Sequence, residues 1–251
     1  MDKAEAGGGW SLGCSCCGGL PHAAKAGLDA GLTRRRLFRG AAGGLLATAA
    51  MGTMLLRNAA AQSALSPDAA LQALVDGNKR FASQKLTSLD EDLAILKAHT
   101  VEKQEPFAAV LGCADSRVPV ELVFDQTIGR LFVARVAGNT AYPSMIASLE
   151  YGAAVLGTKV ILVLGHANCG AVKAAMSGKA VPGQISSLYA PLRPAVEAGH
   201  GNLEAAIKAN ARIQARLLET SSPVLGGLVK KGNLKIVAGY YALDSGVVTL
   251  L

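Results

Sequence analysis

The sequence predicts an α/β fold with a mostly parallel central sheet flanked by helices. Two observations carry the fold class. Short apolar runs such as Phe107-Ala108-Ala109-Val110-Leu111 and Val160-Ile161-Leu162-Val163-Leu164 show no polar alternation. Strands buried on both faces, the mark of parallel sheets, read that way. Helical patterns separate most of these runs, and strands alternating with helices give a doubly wound sheet. The 251 residues are 51% hydrophobic, enough for one well-cored domain and an extension.

In chain order, residues 62–65 form a linker. Ser66-Pro67-Asp68 then opens a helix with an N-cap hydroxyl, proline at the first helical position and an acid in the first turn. Leu71, Leu74, Val75, Asn78 and Phe81 continue it at helical spacing. A more polar second helix is predicted over 89–99, ending before Pro106. Strands are predicted at 107–113, 131–136, 159–165 and 234–240, with an edge strand at 247–250. Helices are predicted at 143–156, 169–177 and 202–219, the first two stopped by Gly157 and Gly178 as glycines just past a helix end. No internal repeat is present.

Residues 1–61 read as an export leader and 62–251 as the functional domain. Thr33-Arg34-Arg35-Arg36-Leu37-Phe38-Arg39 resembles a twin-arginine motif, and a mildly apolar Gly/Ala/Leu stretch follows it. That stretch is shorter than the roughly 20 residues a membrane span needs. Ala59-Ala60-Ala61 fits a small-residue cleavage signal, with Gln62 as the mature start. The expectation is a precursor handled by the twin-arginine export machinery and a periplasmic or otherwise exported product. An uncleaved anchor is the competing reading. Cys14, Cys16 and Cys17 belong to this leader and have no assigned role.

Net charge is +7, but residues 1–61 carry seven Lys/Arg against three Asp/Glu, so the excess lies largely in the leader. The body has no long basic run, and only 4% of the chain is aromatic. Nucleic acid is therefore not an expected partner. Gly7-Gly8-Gly9 and Gly43-Gly44 neither follow a strand nor precede Lys-Ser/Thr, so neither is a phosphate loop.

Chemistry concentrates in Cys113-Ala114-Asp115-Ser116-Arg117 and His166-Ala167-Asn168-Cys169. Two thiols and an imidazole make a soft ligand set that suits zinc. Cys113 ends the first predicted strand of the sheet and His166 follows the third. Sites in open parallel sheets gather beyond the carboxyl ends of strands, so the two clusters can meet. Cys169 would start a helix, whose positive end favours thiolate. His99 and His200 lie in polar stretches and read as solvated surface.

At these residues the chain resembles a β-class carbonic anhydrase. Val110-Leu111-Gly112-Cys113-Ala114-Asp115-Ser116-Arg117-Val118-Pro119 and Leu162-Val163-Leu164-Gly165-His166-Ala167-Asn168-Cys169-Gly170-Ala171-Val172 match the family's two signatures. Phe124-Asp125-Gln126, the segment from Leu131 to Asn139, Ser148-Leu149-Glu150-Tyr151, Gly77-Asn78-Lys79-Arg80-Phe81 and Gly239-Tyr240-Tyr241 extend the likeness over 66–251.

The resemblance implies reversible hydration of CO2 to bicarbonate and a proton, with one Zn2+ per chain. It makes Cys113, His166 and Cys169 the metal ligands and Asp115 and Arg117 the catalytic dyad. In an active form Arg117 holds Asp115 off the metal, and in a closed form Asp115 ligates it. It implies a substrate pocket of Gln104, Phe132, Ala137, Tyr151 and Gly170, some of it reaching across a subunit boundary. For Phe132 and Tyr151, ordinary core packing is an equal alternative. Self-association as a homodimer or a higher multiple is implied as well.

Two departures matter. Gly129-Arg130 stands where the family often has an acid after the glycine. Val110 stands where bicarbonate-regulated closed members carry Trp, although Arg135 matches the Arg of that pocket. An open resting site is therefore expected. With two thiolates on the metal, activity is expected to rise through alkaline pH. Three rival readings share the zinc set: a carbonyl sulfide or carbon disulfide hydrolase of the same fold, a structural zinc module, and a subunit serving assembly.

Overall fold

The computed structural model describes residues 63–88, 97–98 and 100–251. The expected leader, most of the second expected helix and His99 lie outside these residues. In order come α1 (Pro67–Ala82), β1 (Ala108–Gly112), α2 (Val120–Val123), β2 (Leu131–Arg135), α3 (Pro143–Glu150), β3 (Val160–His166), α4 (Gly170–Ser177), α5 (Tyr189–Ala198), α6 (Leu203–Ser221), α7 (Pro223–Lys230), β4 (Lys235–Tyr241) and β5 (Val248–Leu250).

One sheet runs β2-β1-β3-β4-β5. Its first four strands are parallel, and β5 is antiparallel to β4. Every residue of β1 and β3 is buried, as the unbroken apolar runs require. Alternate side chains feed opposite faces. Ala109, Leu111, Ile161 and Val163 pack with Leu149, Ala211, Leu218 and Leu225 of α3, α6 and α7. Ala108, Val110, Leu162 and Leu164 pack with Ala70, Leu74, Val120 and Val123 of α1 and α2. Helices thus cover both faces, as a doubly wound sheet demands.

Most element boundaries fall within two residues of the sequence reading. Ser66 caps α1 by accepting from Ala69 N–H at 3.2 Å. Gly157 and Gly178 take positive φ of 76° and 60° where helices stop. His166 is the last residue of β3 rather than the residue after it. The helix expected over 143–156 is α-helical to Glu150 and then widens into a π turn at Tyr151–Val155. There Gly152 lies against Phe132, whose ring carbon Cδ1 would stand 3.1 Å from an added Cβ. Helices α2, α5 and α7 and the 3₁₀ turn Gly183–Leu188 were not anticipated. Pro194 lies inside α5, where it removes one backbone donor and disguises the helix.

Gly77-Asn78-Lys79-Arg80-Phe81 fastens α1 to the rest. A Cβ on Gly77 would sit 1.9 Å from the Phe124 carbonyl oxygen, so only glycine allows this approach. Asn78 donates to the carbonyls of Val123 and Gly246 and accepts from Val248 N–H, at 2.8–3.1 Å. Asp125, whose side chain is fully buried, receives Arg80 Nε, Thr87 N and Oγ1, and Ser88 N. Burial alone would raise its pKa. The hydrogen bonds from Ser88, Arg80 and Thr87 outweigh burial and hold the carboxyl well below the usual carboxylate range.

Because the folded pKa lies below the unfolded value of about 3.9, Asp125 stabilises the fold above that pH. The contribution is lost as pH falls toward the folded pKa. Asp125→Asn is expected to cost about 2–3 kcal/mol near neutrality. Urea titrations of both proteins should show the gap closing below about pH 4.

Candidate metal centre

The site forms where β1 and β3 end side by side. Parallel register sets Gly112 beside Leu164, so Cys113, one residue past β1, and His166, the end of β3, emerge at the same edge of the sheet. Asn168 then turns the chain in the left-handed region at φ 54°, a conformation asparagine tolerates. Cys169 becomes the N-cap of α4. All three residues are buried, and their ligand atoms lie within 4.8 Å of one another.

The donor chemistry fits a soft divalent cation. His166 Nδ1 is 2.9 Å from the Ala167 carbonyl oxygen, which can only accept, so Nδ1 carries the hydrogen. The lone pair is therefore on Nε2, a buried atom with no hydrogen-bond partner. An unpartnered imidazole nitrogen facing two thiols is a ligand geometry.

The two thiols perturb each other in opposite directions. The hydrogen bond from Cys169 pulls the Cys113 thiol well below its ordinary value, against burial and with help from the Gly138 N–H. Its bond to Cys113, with burial, pushes Cys169 upward. A cation between them would favour both as thiolates.

Asp115 and Arg117 stand over this set as a fork. Arg117 Nε and Nη2 donate to the two carboxylate oxygens at 2.9 and 2.8 Å, and Arg117 N–H adds a bond of 3.0 Å. Those bonds, led by the guanidinium, hold Asp115 well below the usual carboxylate range. Its Oδ2 lies 3.9 Å from His166 Nε2. Arg117 also reaches the Asn168 carbonyl at 3.4 Å, tying the dyad to the second ligand cluster. Beside it, Arg117, Asn168, Glu204, Tyr240 and Asp244 line an open cavity.

The other expected site residues divide. Gly170 is the first residue of α4, is exposed, and has open space around it. Ala137 is half-buried next to Gly138, whose N–H reaches Cys113 Sγ at 3.4 Å. Phe132 and Tyr151 pair at 6.3 Å between ring centroids. Phe132 is partly buried against the core, while Tyr151 is 47% exposed. Gln104 and Tyr151 line a different cavity with Thr100 and Leu156, in which none of the metal-set residues takes part.

Arg135, the counterpart of the family's pocket arginine, braces the backbone here. It donates to the carbonyls of Cys113 and Asp115, at 2.8 and 2.5 Å, and so fixes the loop that carries both. Its signal was a lone charge closing an apolar strand. Val110 is fully buried in β1, and Arg130 lies over the Phe107 ring at 5.1 Å. His200 is exposed.

A sequence model of the carbonic anhydrase family matches residues 108–248. The chain is 32% identical over 189 residues to carbonic anhydrase 2 of Mycobacterium tuberculosis, covering 72% of this chain and 91% of that one. Its fold is similar to that of the β-carbonic anhydrase CcaA, with a TM-score of 0.58 at 24% identity over 72% of this chain and 94% of the other. It is also similar to a tetrameric β-carbonic anhydrase of Sordaria macrospora, with a TM-score of 0.57 at 21% identity over 72% and 96% of the two chains. At those identities the structural likeness speaks to fold.

The donor set generates one expectation. Purified protein should carry about one zinc per chain by elemental analysis, and Cys113→Ser or Cys169→Ser should each lower that to a small fraction. Retention of full zinc by either variant would place the metal elsewhere.

Proposed function

This chain belongs to the carbonic anhydrase family, and on that premise we propose that it catalyses reversible hydration of CO2 to bicarbonate and a proton at a zinc ion held by Cys113, His166 and Cys169. The observation that carries the reading is the unpartnered His166 Nε2 facing two buried thiols under a carboxylate gripped by arginine. Zinc at such a site supplies Lewis acidity, lowering the pKa of a water from about 15.7 toward about 7.

The protein's part is positioning. With both oxygens engaged by Arg117, Asp115 is an ionised acceptor at fixed orientation. It can accept a hydrogen bond from the attacking water and so fix which lone pair faces CO2. Arg117 keeps the carboxylate from turning into the ligand set, which supports an open resting site. Arg135 holds the backbone under Asp115, so the fork is anchored at both ends. Gly170, unobstructed at the start of α4, leaves room for a small substrate to approach.

Gln104 and Tyr151 belong to this reading through self-association. They lie on a surface that also exposes Val101 and Val155, and a second subunit would bring that surface to a neighbour's metal centre. The similar fold of the tetrameric β-carbonic anhydrase of Sordaria macrospora supports an oligomer. Nothing described favours the carbonyl sulfide, carbon disulfide, structural-zinc or assembly-subunit readings.

Export through the twin-arginine route completes the proposal. It rests on the motif at Thr33-Arg34-Arg35 and on the alanines before Gln62. Among the described residues no helix is long and apolar enough to cross a membrane.

Asp115→Asn and Arg117→Ala are each expected to lower kcat for CO2 hydration about 100-fold, with zinc per chain unchanged. Turnover near that of the parent protein would remove the dyad from the mechanism. Arg34→Lys combined with Arg35→Lys should leave the precursor in the cytoplasm, and cell fractionation with an antibody would show it. Undiminished export would discard the twin-arginine assignment.

A further inference from the structure

The segment 138–141 connects the metal centre to a pair of buried amides that the mechanism has not used. Asn210 and Gln214 stand one turn apart on α6, at 0% and 1% exposure. Their neighbours on that face are Ala206, Ile207, Ala211, Ala215 and Leu218, all apolar and buried. Amides so placed lose hydration and repay it only through good hydrogen bonds.

Both make them. Asn210 Nδ2 donates to the Gly138 carbonyl at 2.8 Å. Gln214 Oε1 accepts from Ala141 N–H at 2.9 Å, and its Nε2 donates to Asn210 Oδ1 at 3.1 Å. The pair therefore grips both ends of the segment and locks itself. On the opposite side, Gly138, at φ 75°, lies against Leu192 and Ala171, which would stand 3.2–3.3 Å from an added Cβ. Between these restraints the Gly138 N–H points at Cys113 Sγ.

We propose that Asn210 is a positioning residue for the metal centre: by holding the Gly138 carbonyl it aims the Gly138 N–H at Cys113 Sγ and sets that ligand's place and donor strength. The proposal rests on the reading that Cys113 binds the metal. An N–H bonded to a thiolate withdraws charge from sulfur, so the metal–sulfur bond responds to how well that N–H is aimed. The chain of contacts is short and buried: helix amide, glycine carbonyl, glycine N–H, sulfur. Gln214 contributes by fixing the rotamer of Asn210 and by anchoring the far end of the segment.

The first test uses the full chain loaded with NMR-active cadmium in place of zinc. A through-hydrogen-bond coupling between the metal and the Gly138 amide proton is expected, and its absence in cadmium-loaded protein would overturn the proposal. Failure to take up cadmium at all would instead remove the metal-centre reading, and the proposal with it.

The second test compares Asn210→Leu with Leu218→Ala, a core change on the same helix with no bond to the segment. Chelator competition should show zinc held about tenfold more weakly in Asn210→Leu. The sulfur-to-metal charge-transfer band of the cobalt-loaded variant should shift. Leu218→Ala should lose stability with affinity and band unchanged. If Asn210→Leu matches Leu218→Ala in affinity and band, the residue serves the fold alone. Should Asn210→Leu not fold, the cadmium coupling in the unaltered chain decides the matter.

Discussion

Everything at the site depends on the parallel pairing of β1 with β3. The register that sets Gly112 beside Leu164 brings two ligand clusters, separated by some fifty residues of sequence, to one edge of the sheet. A slip of one residue would turn Cys113 or His166 to the opposite face and scatter the set. The register is protected because both strands are buried along their whole length. Each face is filled by a separate apolar cluster, and slipping would exchange the two. The geometry of the Cys113, His166 and Cys169 set is thus a by-product of ordinary core packing, enforced by far more apolar contact than the site itself could supply.

Around that junction the protein uses hydrogen bonds to fix what packing cannot. Arg117 holds a carboxylate, Arg135 holds two carbonyls of the loop beneath it, and Asn210 with Gln214 holds the segment whose N–H meets Cys113. Asp125 does the same for the front of the domain by collecting Arg80, Thr87 and Ser88. These groups are buried or paired closely enough that their charges and amides cost little once bonded, and each would be expensive if its partner were lost.

Much of this was legible in the sequence, for physical reasons. Unbroken apolar runs mark doubly buried strands, so β1 and β3 were readable, and the rule that sites collect at strand ends placed Cys113 and His166 together. Ser66, Gly157 and Gly178 announced helix ends through their own chemistry. Less was legible where tertiary contacts decide. The prolines of α5 suggest a loop, yet Pro194 sits within the helix. Asn210 and Gln214 were not singled out in the sequence, although their spacing of four within an apolar stripe of the helix was a usable sign. The motif position of Arg135 was readable, but its bonds to the carbonyls of Cys113 and Asp115 are ones no single-sequence pattern points to.

One consequence concerns the margin of the sheet. β2 is an edge strand of the sheet, paired on one side within the chain, and local opening favours segments with few buried contacts and exposed backbone bonds. Its last residue, Arg135, carries the two bonds that brace the Cys113–Asp115 loop. Fraying of that margin and loosening of the reactive geometry are therefore one event. In mild denaturant, loss of β2 would therefore unbrace that loop even while the interior strands stay protected from solvent exchange.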